Sequence, residues 1–404
     1  MNKNLLIFLG EYNGYINANK RIALTIEKEL RKLGYNSYFA CVNYFQSEEK
    51  IIDTDGIIIR VFPSNIKYAS DIKKYNDYKD KLGAKKCLIN HPILTIKNQL
   101  IKKNIRCDLI VGIKKMLEEI NSNKLLCFYY PFAPTYSLVT SDIDCEKYVC
   151  QLDPWGLHED ISEKVLKKRI KDELYMFSFC KHIFTTEILY KEYLNHEMYS
   201  VYSSKMSPMK FPNISPKDEA NQDFIRFDDN CCNIVFLGIL DDSYRNPKLF
   251  LDFVLKSKEN IRLFFIGKNH SVICKDYGNK HPDKIKIFDP VSSDVANGIM
   301  MEDIFLLNIN NTYHNQLPSK VLDYISSGTP IINVIKNEDD FSLSLLDKYD
   351  NKYNFFEYQD NDINEFDEFL VKCKGKKVPF ERISVLYKDY TPEAVGRLFA
   401  NRLK

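Results

Sequence analysis

The chain has 404 residues, enough for two or three domains at roughly 100–200 residues each, so a small stapled scaffold is excluded. Its 57 Lys and Arg nearly balance 55 Asp and Glu, leaving a formal charge of +2, which carries neither the basic bias of a nucleic-acid binder nor an acidic solvating tail. The 11 cysteines are odd in number, scattered and preceded by no secretory h-region, so reduced thiols and a cytoplasmic location are expected; they form no C-x-x-C pair, and no structural metal is expected.

Leu5–Leu9 reads as a strand, Gly10–Tyr15 as a loop, the stretch to about Leu33 as an amphipathic helix stopped by Gly34, and Ser37–Val42 as a second strand. Further strand-like runs follow at Gly56–Phe62, Asp108–Ile113, Leu125–Tyr130, Tyr148–Leu152 and His182–Thr186, with a helical pattern over Ile161–Phe179. This predicts an α/β domain over residues 1–205. Residues 206–232, with Pro208, Pro212 and Pro216, read as a linker. The alternation then restarts over 233–375, with strands at Asn233–Gly238, Ile261–Gly267, Lys284–Phe288, Asp303–Ile309 and Pro330–Ile335. A tail over 376–404 reads as helix packing back on the amino-terminal domain. The predicted architecture is two tandem Rossmann-like, doubly wound domains facing an interdomain cleft, where ligands of such folds bind.

The charge is unevenly spread. Lys67–Lys124 holds fourteen Lys and Arg against six Asp and Glu, whereas Glu338–Glu368 holds eleven Asp and Glu against two Lys. The basic segment suits a peripheral contact with an anionic membrane.

Asn315–Asn333 is the most informative stretch. Pro318 and Ser319 open a helix and Gly328 follows its end, so free N–H groups and a partial positive charge point toward the predicted cleft, a natural place for phosphate. Lys320 adds a full charge in the first turn, and Asp323 on the same face can accept hydrogen bonds from ribose hydroxyls.

The run P-S-K-V-L-D-Y-I-S-S-G-T-P-I-I resembles the nucleotide-sugar signature P-x-K-x-x-E-Y-x-x-x-G-x-P of GT-B glycosyltransferases, especially the family 4-like enzymes of bacterial surface polysaccharide synthesis. The runs I-V-F-L-G-I-L-D-D-S-Y-R-N-P and H-I-F-T-T-E-I-L-Y-K-E-Y-L are similar to the phosphate loop of that family's second domain and the last strand and helix of its first. The resemblance implies transfer of a sugar from a nucleotide donor, expected to be UDP-linked, to a glycan or lipid-linked glycan acceptor. It implies that Asp323 takes the ribose, that Lys320, the Ser319 N–H and Arg245 take the diphosphate, and that Gly238 allows close backbone approach. Gly14 would lie in the loop facing acceptor and donor sugar. Fixed donors and an Arg can stabilise the departing diphosphate, so neither metal nor other cofactor is expected.

Two positions depart from the pattern: Asn315 stands where an earlier Glu is common, and Ile239 where an Arg is common. They leave the stereochemistry of transfer open. Asp153 and His158, in Q-L-D-P-W-G-L-H after a strand, are the candidate bases, with Asp153 nearer the strand end. Competing readings are an epimerase of the same fold and an inactive binding subunit. The triplets Asp53-Thr54-Asp55 and Asp142-Ile143-Asp144 have the D-x-D form of metal-dependent GT-A enzymes but lie away from the predicted phosphate site.

Overall fold

The computed structural model describes residues 3–11, 18–43, 49–54, 57–63, 108–130, 132–158, 161–217, 223–313, 316 and 319–404. They form two compact units: Met1–Lys210 with Val395–Lys404, and Phe211–Ala394.

The first unit carries an eight-stranded sheet in the order β3-β4-β2-β1-β5-β6-β7-β8. Its strands are β1 (Asn4–Glu11), β2 (Asn36–Asn43), β3 (Lys50–Thr54), β4 (Ile57–Pro63), β5 (Lys124–Phe128), β6 (Glu146–Gln151), β7 (His182–Thr186) and β8 (Met206–Met209). Only the β3–β4 pair is antiparallel. Leu5 to Leu9 are all buried, as a central parallel strand covered on both faces requires. The Ala18–Lys32 helix buries Ile22, Ile26 and Leu30, spaced one turn apart. It ends in a Schellman turn: Gly34, at φ +85°, donates to Arg31 O at 2.9 Å and Tyr35 donates to Leu30 O at 3.0 Å.

Residues 108–113, expected as a strand, are helical, in a segment running to 119. Leu109, Ile113, Met116 and Leu117 are the buried side chains, so the period is that of a helix, which the short apolar run alone concealed. The proline-bearing stretch after residue 205 is not simply a connector. Met206–Met209 pairs in parallel with β7, and 211–217 belong to the second unit. Pro208 is tolerated because β8 is an edge strand.

The second unit holds a parallel six-stranded sheet in the order β11-β10-β9-β12-β13-β14. Its strands are β9 (Cys232–Leu237), β10 (Ile261–Ile266), β11 (Ile285–Phe288), β12 (Phe305–Ile309), β13 (Ile331–Ile335) and β14 (Lys352–Phe356). The strand order reverses between β9 and β12, the switch point where doubly wound sheets open a crevice at their carboxyl ends. Ile234, Phe236, Leu307, Ile332 and Phe355 face a core covered by the Lys248–Val254 and Ile363–Cys373 helices.

Of the tail, Phe380–Leu386 stays with the second unit. Tyr387 Oη donates to Leu345 O at 2.7 Å, Val378 N to Gly328 O at 2.8 Å, and Ile214 N to Tyr390 O at 3.1 Å. From Val395 the chain is part of the first unit, where Phe399 stacks on Phe184 at 3.8 Å and Tyr35 Oη donates to Ala400 O at 3.2 Å.

Candidate functional site

In the second unit the site is organised by a backbone crossing. Gly238 ends β9 at φ +146° and Gly267 ends β10 at φ +141°. A Cβ on Gly267 would meet Gly238 O at 1.9 Å, and one on Gly238 would meet Lys320 Nζ at 1.8 Å. Glycine at 238 is therefore what lets Lys320 reach Leu237 O, to which it donates at 2.5 Å.

Lys320 lies in the first turn of the Ser319–Ser327 helix, and Tyr324 lies one turn later on the same face. Tyr324 Oη accepts from Leu237 N at 3.3 Å, so this face is docked on the end of β9. Ser319 begins the helix half-buried. Asp323, expected on the Lys320 face, is instead turned to the 213–217 segment: its Oδ1 accepts from Asn213 at 3.2 Å and Lys217 at 3.0 Å, and Ser326 Oγ donates to Ser215 O at 2.6 Å. Residues 213–217 thus orient the Asp323 carboxylate, a role that no local motif signalled.

Arg245 donates from Nη1 to Ile239 O at 3.1 Å, lies 5.7 Å from the Tyr244 ring, and has its Nε buried without a hydrogen-bond partner. Burial lowers the guanidinium's pKa, and Tyr244 and Tyr324 partly oppose that. Lys336 lies just past β13. Burial holds its amine below the ordinary lysine range, Glu357 at 3.9 Å acts upward, and the charge of Arg245 acts downward. Arg245 and Lys320 both spend donors on neutral carbonyls, so their positive charge is not cancelled by a carboxylate at those contacts.

In the first unit, Asp153 and His158 both lie in the segment following β6. Asp153 as a residue is exposed, yet its carboxyl is crowded enough that loss of water raises its pKa, while a hydrogen bond from Asn19 and the charge of His158 act downward. Between them Trp155 stacks on Phe132 at 4.5 Å and lies under the Arg169 guanidinium at 4.1 Å. Beneath the segment Glu173 is buried with Tyr129, Tyr199 and Gln151 as hydrogen-bond donors.

Gly14, Asn315, Pro318 and Asp55, and all of the basic Lys67–Lys124 segment before residue 108, lie outside the described residues. Among the described residues no group of three or more His, Cys, Asp or Glu is placed to hold a metal ion, and no helix is long and apolar enough to cross a membrane.

No protein-family model and no curated protein matches the sequence. Solved structures do match along nearly the whole chain. An α,α-trehalose-phosphate synthase (UDP-forming) from Burkholderia vietnamiensis aligns with a TM-score of 0.64 over 99% of both chains at 9% identity. The lipopolysaccharide outer core galactosyltransferase WaaB aligns with a TM-score of 0.55 over 98% of both at 11% identity. Anabaena HepE in complex with UDP and glucose aligns with a TM-score of 0.55 over 98% of this chain and 95% of that one, at 8% identity.

The chain has the GT-B fold. Gly238, Arg245, Ser319, Lys320 and Asp323 lie in its second unit, and Asp153 and His158 in its first.

Proposed function

We propose that this GT-B chain is a glycosyltransferase that passes a sugar from a nucleotide-sugar donor, UDP-linked, to a glycan or lipid-linked glycan acceptor of surface polysaccharide synthesis. The observation that carries the reading is the docking of the Lys320–Tyr324 helix face on glycine-ended β9, with Arg245 beside it at the switch point of the sheet. A helix amino terminus, an ammonium and a half-buried guanidinium whose Nε lacks a partner suit a diphosphate. Structures of this fold solved with UDP and UDP-glucose support the choice of donor.

In this reading the second unit holds the donor. Lys320, Arg245 and the Ser319 N–H take the diphosphate, and Asp323 accepts from the ribose through Oδ2, its Oδ1 being taken by Asn213 and Lys217. The first unit supplies the base: Asp153, whose raised pKa suits proton acceptance, takes the acceptor hydroxyl proton, with His158 as the alternative. The acceptor oxygen bonds to the anomeric carbon as the bond from that carbon to the diphosphate breaks, its electron pair leaving with the nucleoside diphosphate. Lys320 and Arg245 stabilise the developing charge, and no metal is required. Gly14 is assigned to the acceptor and donor-sugar side by resemblance alone, and peripheral attachment to an anionic cytoplasmic membrane surface by the Lys67–Lys124 charge.

Calorimetry with UDP and a thermal-shift panel of nucleotide sugars test the donor assignment. Saturable UDP binding and stabilisation by at least one UDP-sugar are expected. Absence of both rejects the assignment, and release of a changed free sugar without glycoside formation identifies an epimerase instead.

A further inference from the structure

Glu173 is fully buried on the Glu163–Ser178 helix, and the groups bound to its carboxylate are neutral donors. Oε1 accepts from Tyr129 Oη and from Gln151 Nε2, the latter at 2.9 Å, and Oε2 accepts from Tyr199 Oη. A buried carboxylate is costly unless its lone pairs are engaged, and replacing such a group together with its partners by apolar side chains is often neutral for stability. Stability alone therefore gives little reason for this arrangement.

What the carboxylate holds is specific. Gln151 ends β6, and its Nε2 donates both to Glu173 and, at 3.3 Å, to the backbone oxygen of Asp153. Gly156 packs against Glu173 at so close an approach that a Cβ there would lie 2.0 Å from Tyr199 Oη and 2.3 Å from Glu173 Oε2. The segment is thus held on both sides of Trp155, at 153 through Gln151 and at 156 by close packing.

We propose that Glu173 is a positioning residue that fixes the 151–158 segment, and so the Asp153 carboxylate, through Gln151 Nε2 and the close packing of Gly156. The proposal rests on the reading of Asp153 as the base, but part of its test does not. Trp155, the one tryptophan of the chain, lies inside the tied segment and reports on it without turnover.

The experiment compares wild type with Glu173→Gln by Trp emission, acrylamide quenching and steady-state kinetics, circular dichroism confirming the fold. A red-shifted emission, increased quenching and a fall in kcat of about 10- to 100-fold with unchanged KM for the donor are expected. Unaltered emission and quenching in folded Glu173→Gln overturn the proposal. So does a freed Trp155 with wild-type kcat when Asp153→Asn is inactive. If Glu173→Gln does not fold, Gln151→Met, which removes the tie to Asp153 O, must give the same signature. If Asp153→Asn is fully active, the base assignment fails, and the fluorescence alone decides whether Glu173 positions the segment.

Discussion

The carboxyl edges of the two sheets handle buried charge in opposite ways. In the first unit a carboxylate, Glu173, is enclosed by two phenols and an amide, with Gly156 packed against it. In the second, Lys320 and Arg245 rest on the carbonyls of Leu237 and Ile239. The first arrangement encloses the carboxyl group among neutral donors and away from water. The second seats two cations on backbone carbonyls at a half-buried edge. In the proposed reading, enclosure makes a brace, whereas cations held on neutral acceptors serve an anion.

That contrast can be broken at several points. The largest effect is expected from Asp153→Asn, which should lower kcat by about 100- to 10,000-fold while UDP affinity by calorimetry stays at the wild-type value. Wild-type turnover would remove Asp153 from the chemistry. Next, Lys320→Ala and Arg245→Ala should each weaken UDP binding by about 1.5–3 kcal/mol, the range for hydrogen bonds to charged groups, with Trp155 emission unmoved. Unchanged affinity in both would mean that the phosphates bind elsewhere.

Gly238→Ala separates backbone from charge. Its Cβ would displace Lys320 Nζ and sit at φ +146°, so a loss of about 1–3 kcal/mol in stability by urea titration is expected, together with weaker UDP binding. The smallest effect concerns acid. Burial lowers the pKa of His182 in the first unit from 6.5 to about 4. The unfolded chain therefore binds this proton before the folded one does. His182 should cost stability progressively as pH falls from 6.5 toward 4, and His182→Gln should flatten that part of the thermal-unfolding profile.

The fold was legible where strands are short, largely apolar and flanked by Gly or Pro, as with Leu5–Leu9 and Pro330–Ile335. It was misread at Asp108–Ile113, where a short apolar run hid a helical period visible only with Met116 and Leu117 included. Met206–Met209 escaped because Pro208 argues against a strand except at an edge, and edge status is a property of the assembled sheet. In the candidate site, Lys320 and Asp323 were legible from their spacing after a helix start. Lys217 and Asn213, which reach Asp323 across more than a hundred residues of chain, were not. Nor was Glu173, whose partners come from three separate stretches of the first unit.

The return of Val395–Lys404 to the first unit bears on how the protein is made. On the ribosome, residues 1–210 emerge before the second unit, yet the Phe399 ring that covers Phe184 emerges only after it. Translating the intervening second unit takes roughly 10–40 s at about 5–20 residues per second. For that interval the nascent first unit exposes the apolar surface that Phe399 will cover, an opportunity for a chaperone to bind.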